Sequence, residues 1–427
     1  MSSVWLCGGR VLTGAGEEQM LDIEVRAGRI ATLGVAAPDV ARIDVSRWTL
    51  WPAFTDLAAR LREPGPREHG DIASETAAAA AAGYAQVVLP ADTQPVIDSA
   101  AIAHLIHEKA IRAGAVRVLP LGALTQGLEG RTLANMAALK RAGCIAVSQA
   151  RRPMASHETW LRCLQFAAGS GLTVFFSPED AALAQGCVHD GFMASRLGLP
   201  GVPNSAETVA MATQLLLVEQ TGVRAHFGQL STAGSVQLLR WAKSQGLPVS
   251  GDVAMHQLHL TDAAIDGFNA FAHVRPPLRA ESDRRALLEG VASGVIDAIC
   301  SDHQPLHSSA KQAPFAATLP GMSTLQTVLP LGLRLVAAGD LTRARLIDAL
   351  ALAPRRILAQ EARGLAVGAV ADIVAVDEAV DWPVDARHWH SAGRNTLYWG
   401  QSLRGRVAQL WIDGGACRSA MTSLTEA

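Results

Sequence analysis

Hydrolysis assisted by zinc needs about three protein ligands drawn from His, Asp, Glu and Cys, which bring bound water to a pKa near 7. In this chain of 427 residues the side chains of that kind with suggestive placement are His256, Asp302, His303 and His307. They give one conceivable set, His256 and Asp302 with either His303 or His307. Neighbours 302 and 303 point to opposite faces of an extended chain, which argues against a compact cluster and leaves His256 a lone histidine. His226 differs in parity from Gln229, so the same alternation turns it to the other strand face and gives it a structural role. The six cysteines, Cys7, Cys144, Cys163, Cys187, Cys300 and Cys417, stand singly with no CxxC pair, unlike a zinc finger or a disulfide framework. Arg62, before Glu63-Pro64-Gly65, can hold its own loop or bind an anion, and Arg275 is a second candidate for an anion.

These residues must be positioned by the elements around them. Short apolar, β-branched runs at 50–56, 84–90, 116–121, 145–150, 172–177, 223–230, 248–255 and 295–302 alternate with amphipathic stretches. The helical stretches are 71–82, 96–113, 156–169, 205–220, 233–245 and 282–292, several with glycine just beyond the end. Eight parallel strands predict an α/β fold of the closed (β/α)8 (TIM) barrel type over 49–363, whose working residues sit at the carboxyl ends of the strands. Residues 1–48 and 364–427 carry short alternating segments with glycine turns, and together predict a small composite β-sandwich.

The stretch Pro52 to Gly65 reads Pro-Ala-Phe-Thr-Asp-Leu-Ala-Ala-Arg-Leu-Arg-Glu-Pro-Gly. It resembles the opening motif of the dihydroorotases, amidohydrolase-type barrels in which Asp-x-His-x-His-Leu-Arg-Glu-Pro-Gly supplies two zinc ligands and a substrate-binding arginine. The resemblance continues through 191–203, 275–279, Ser301-Asp302-His303, 368–377 and 400–407. It implies that the two motif histidines are Ala58 and Arg60, that the bridging carboxylate position is Ala150, and that the strand-five and strand-six histidines are Ser177 and Gln229. Only Asp302 keeps a ligating type, and none of Lys109, Lys140, Lys243 and Lys311 suits the bridging position. The implied substrate shell keeps Arg62, but its asparagine becomes Ala91 or Asp92, and the position after strand seven becomes Arg275, with His256 nearby. Arg60, a permanent cation, repels a divalent metal and can pair with Asp302 in the vacated space.

What the resemblance implies is therefore a vestigial site with no cofactor, its ancestral zinc lost, in a barrel that works through its surface. It is similar to the non-catalytic dihydroorotase homologues that act as scaffolds for aspartate transcarbamoylase, with a homodimer inside a larger complex as the expected arrangement. Two other readings stand beside it: an active dihydroorotase, hydantoinase or allantoinase relative with an unorthodox site, and a barrel that senses small anions. Lys plus Arg number 37 against 39 Asp plus Glu, which leaves no field favouring nucleic acid or an anionic membrane. No apolar run approaches the ~20 residues that span a bilayer and the amino terminus has no basic-then-apolar pattern, so a soluble protein of the reducing cytoplasm is expected.

Overall fold

The computed structural model describes residues 3–12, 18–37 and 39–417; the remainder of the terminal module assigned from sequence, including 418–427, lies outside the described residues. Eight parallel strands follow one another in chain order: β1 (Phe54–Asp56), β2 (Tyr84–Leu89), β3 (Arg117–Ala123), β4 (Ala146–Ser148), β5 (Val174–Phe176), β6 (Ala225–Phe227), β7 (Val249–Ala254) and β8 (Ala298–Cys300). The sheet closes just past β8, where Ala59 and His303 bridge in parallel, His303 N donates to Ala58 O at 3.1 Å and Arg60 N donates to His303 O at 2.9 Å. Below this seam Ser301 N donates to Asp56 Oδ1 at 2.8 Å, and the Ser301 hydroxyl bonds the other carboxylate oxygen.

Strands of a parallel barrel are covered on both faces, so they read as continuous apolar runs rather than alternating ones. In β2 all six residues are buried; Val87 and Leu89 face the surrounding helices, whereas Val88 joins Leu121, Ala123, Ala146, Phe175, Ala254 and Cys300 inside the barrel. The helices that interest the site are α1 (Ile72–Ala81), α2 (Ala100–Ala113), α3 (Met136–Arg141), α4 (His157–Gly169), α5 (Phe192–Leu197), α6 (Ser205–Thr221), α7 (Ala233–Ser244), α8 (Glu281–Ala292) and α9 (Val328–Ala337). Local chemistry sets several of their ends. Asp71 caps α1 through the Ser74 amide while Ser74 bonds back to the Asp71 amide, and Gly114 closes α2 in the left-handed region at φ 66°.

Most of the expected strands are shorter at one or both ends, and two elements begin four residues later than the sequence predicts. The run 50–56 is two strands: Thr49–Pro52 pairs antiparallel with Ile373–Pro383 and parallel with Arg10–Leu12, and only Phe54–Asp56 enters the barrel. The helix expected from residue 96 begins at Ala100, because Ile97 N is taken by Ala91 O and Asp98 N by Val96 O in a turn that follows Pro95. The ends of the chain form two sheets. One has four strands, with Val4–Cys7 and Asp22–Arg26 at its centre, and the other has six, built on Ile373–Pro383 and Ser402–Ile412. Leu6, Ile23, Ile30, Leu50, Ile373 and Trp411 from both sheets share one core. Among the described residues no helix is long and apolar enough to cross a membrane.

Gly83 joins this module to the barrel. Its φ is +89°, and an added Cβ would lie 3.0 Å from Val374 Cγ2, 3.0 Å from Val407 Cγ2 and 3.1 Å from Phe54 Cε2. Strain and overpacking together give Gly83→Ala an expected cost of about 2–4 kcal/mol, read as a lower midpoint in urea denaturation; an unchanged midpoint would show that the junction is loosely packed.

Candidate functional site

The carboxyl ends of β1, β2, β4, β6 and β8 converge on the barrel mouth, and the chain leaves several of them through a left-handed residue. Ala150 (φ 51°), Gln229 (φ 52°) and Asp302 (φ 46°) are three such residues, and Arg62 (φ 60°) is a fourth in the loop after β1. Non-glycine residues visit that region rarely, and such conformations persist where surrounding contacts over-determine them. The turns that would aim ligating side chains are thus present, while the side chains at three of these ends are a methyl, an amide and a carboxylate.

Asp302 is buried. Its Oδ1 accepts from Gln304 Nε2 at 3.1 Å and lies 3.6 Å from Arg60 Nη1. Burial pushes the carboxyl up to about 6, against the pull of Arg60 and Arg151. Arg60 makes its closer contacts to Asp92, whose Oδ2 lies 2.9 Å from Nη2 and 3.3 Å from Nε. Burial raises Asp92, but the Arg60 guanidinium outweighs it and holds the carboxyl below its usual range. One guanidinium therefore links the end of β2 to the end of β8, in the place the resemblance gives to a metal ligand and its surroundings.

The other sequence candidates fall around this pair. Arg62 Nε donates to Pro305 O at 2.8 Å, tying the loop after β1 to the loop after β8, and burial with Arg60 nearby draws its pKa down to about 10. Gln229 Oε1 accepts from Arg151 Nη2 at 3.0 Å and, more loosely, from Ser177 Oγ at 3.5 Å, so the positions after β4, β5 and β6 meet through an amide. Ala58 is buried with Ala91 and Leu57. Arg275 forms a two-armed pair with Glu179, Nε to Oε2 at 2.8 Å and Nη2 to Oε1, on an exposed edge of the mouth. His256 is buried in the turn Met255–Leu258 with neither ring nitrogen bonded, and burial pushes its pKa down to about 4.

His303 turns away from Asp302. Its Nδ1 accepts from Thr324 N at 3.0 Å, which leaves the proton on Nε2, 2.7 Å from Glu75 Oε2 on α1. His307 bonds the neighbouring Ser309. His226 faces the barrel interior, 2.9 Å from both Ser250 Oγ and Asp252 Oδ2, and Asp252 Oδ1 accepts from Gln229 N at 2.6 Å. The set of His256 with Asp302 and His303 or His307 is accordingly not assembled, and among the described residues no group of three or more His, Cys, Asp or Glu is placed to hold a metal ion. The donors at these strand ends do not fit a catalytic zinc: a methyl, an amide, a hydroxyl and guanidiniums stand around Asp302, and the neighbouring carboxylates are already engaged, Asp92 by Arg60 and Asp252 by His226 and Gln229 N.

Arg151, Asp252, Glu179 and Glu75 carry much of this arrangement and were not singled out from sequence. Arg151 and Glu179 directly follow or neighbour the positions 150 and 177, so their charge was a readable signal; Asp252 and Glu75 lie in runs that gave none. Arg60, Arg62, Asp92, Thr93, Gln94 and Leu319 line a pocket of about 300 Å³ at the mouth.

The Arg60 bridge has a measurable consequence. Arg60→Met takes from Asp92 and Asp302 the guanidinium they share and leaves only the more distant pull of Arg62 and Arg151, so a loss of about 3 kcal/mol is expected, with part of it recovered when Asp92→Asn or Asp302→Asn is added. Urea denaturation of the three proteins measures this; a single substitution costing under ~0.5 kcal/mol, as ordinary surface changes do, contradicts it.

Known proteins bear on the chain as a whole. The dihydro-orotase-like family matches residues 48–235. A "Dihydroorotase-like protein" of Pseudomonas aeruginosa is 43% identical over 95% of this chain and 97% of its own length, and one of Pseudomonas putida is 43% identical over 97% and 99%. A "Dihydroorotase" of Geobacter sp. is 38% identical over 95% and 97%. Among solved structures, the L-hydantoinase of Arthrobacter aurescens superimposes with a TM-score of 0.86 over 97% of this chain and 96% of that one at 21% identity, which establishes the barrel fold. With relatives this similar along nearly its whole length, the chain belongs to the dihydroorotase-like family.

Proposed function

We propose that this chain is a non-catalytic member of its family, acting in the cytoplasm as a structural partner of aspartate transcarbamoylase. The observation that carries the first half is Arg60, whose guanidinium lies between Asp92 and Asp302 at the strand ends. A permanent cation there opposes a divalent metal, and without a metal nothing at the mouth generates a hydroxide nucleophile near neutral pH. The two Pseudomonas relatives named dihydroorotase-like proteins, at 43% identity, are also nearer than the Geobacter dihydroorotase at 38%. The second half rests on the resemblance to scaffold homologues: a barrel that keeps its core and terminal module while its mouth is neutralised serves through its outer surface. A homodimer within a larger complex is part of this proposal.

A second reading is favoured by one observation. The 300 Å³ pocket at the mouth retains Arg60 and Arg62, so a small carboxylate held there would make the barrel a sensor rather than a passive scaffold.

The test uses the intact chain and the transferase at micromolar concentration and physiological salt. Co-elution on a sizing column is expected, unaffected by Arg62→Ala or Asp302→Asn, together with dihydroorotate turnover well below the ~1 s⁻¹ of ordinary enzymes even with added zinc. Independent elution with a fully active transferase removes the scaffold role and leaves the sensor; turnover at ordinary rates removes both.

A further inference from the structure

Outside the mouth, α1 and α9 meet the terminal strands Ile373–Pro383 and Ser402–Ile412 around a second pocket, of about 100 Å³. Its polar lining is Arg387, His388, His390, Arg406 and Gln326, and no carboxylate lines it. Two helix ends reach it, the close of α1 at Ala81–Ala82 and the first turn of α9 at Leu329–Pro330. Their dipoles oppose each other, which leaves the guanidiniums to set the sign of the site.

The lining is held in place by its own hydrogen bonds. The Gln326 amide donates to His388 O at 2.7 Å and accepts from His390 N at 2.7 Å, which fixes the loop that carries Arg387. Asp385, in the same loop, spends Oδ1 on its own turn, accepting from Arg387 N at 3.0 Å and His388 N at 3.2 Å and lying 2.8 Å from His388 Nδ1. Trp382 Nε1 donates to Gly405 O at 2.9 Å, beside Arg406. Asp377, which stands opposite Arg406 in the strand pair, accepts instead from Ala379 N. Among the described residues neither guanidinium has a carboxylate partner.

We propose that this pocket binds a phosphate group, either inorganic phosphate or the terminal phosphate of an organic ester. Two permanently charged, unpaired forks from different segments of chain suit an oxyanion carrying one to two charges. The volume equals that of about three waters, room for one tetrahedral group, so the body of an ester would project outward. The proposal is independent of any partner and of the barrel mouth.

Calorimetric titration and thermal unfolding of the full chain test it, with inorganic phosphate, a nucleoside monophosphate and acetate in separate arms, each at constant ionic strength set with chloride. Saturable binding of phosphate is expected, weakened about tenfold or more by Arg387→Gln with Arg406→Gln, which removes both charge-assisted forks. Arg406→Lys, which keeps the charge and the fold but loses the fork, should weaken it several-fold. An ester that binds more tightly than phosphate identifies the organic source, and one that binds more weakly identifies the free ion. Absence of saturable binding, equal binding of acetate, or binding unchanged in the arginine variants overturns the proposal.

Discussion

A charge buried at the mouth of a barrel must be neutralised by something, and in this molecule the neutralising group is a guanidinium. Strands that converge at their carboxyl ends bring Asp302 into a buried position whatever occupies the other ends, because Ser301 and His303 on either side are locked into the β1–β8 seam. A lone buried carboxylate costs several kcal/mol. Arg60 meets that requirement from the end of β1, and since a guanidinium carries five donors it also satisfies Asp92 on the adjacent strand. Burial still leaves Asp302 raised to about 6, so the compensation is partial.

The rest of the mouth follows the same rule. Glu179 is met by Arg275, the Gln229 amide takes the Arg151 guanidinium, His303 is turned onto Glu75, and Arg62 is spent on the Pro305 carbonyl. Inside the barrel Asp252 accepts from the Gln229 backbone N–H and is bonded to the His226 ring. Polar groups are thus paired with one another across neighbouring strand ends, and the left-handed turns at 150, 229 and 302 present a methyl, an amide and a carboxylate. A (β/α)8 barrel can carry different chemistries by differing in the side chains at its strand ends while its backbone stays the same.

Much of this could be read from the chain itself, and the parts that could not share a cause. Periodicity located every barrel strand, and the glycine that ends α2 at 114 followed from residue type. The pairing of Arg60 with Asp302 was also foreseeable, since opposite charges at two strand ends of a closed barrel are brought together by topology. What was not legible depended on partners distant in sequence. Residues 50–56 look like one strand until Ile373–Pro383 claims the first half. Asp92 reads as a replaced substrate contact until Arg60, 32 residues away, is seen to hold it. His256 drew attention as an isolated histidine, yet it is a buried ring with no bonded neighbour. Sequence spacing identifies which side chains exist at the strand ends, while their mutual neutralisation is a property of the closed barrel.

The central claim is that the mouth is neutralised by arginine in place of a metal, and the direct measurement is zinc binding by the unmodified protein. Metal analysis after purification from zinc-supplemented medium, followed by thermal unfolding with and without added zinc, should find well under one zinc per chain and no shift in midpoint. A metal present at 100 times its dissociation constant and bound only by the native state would add about 2.7 kcal/mol of stability. One or two tightly held zinc ions per chain, with a stabilisation of that size that disappears in Asp302→Asn, would contradict the account.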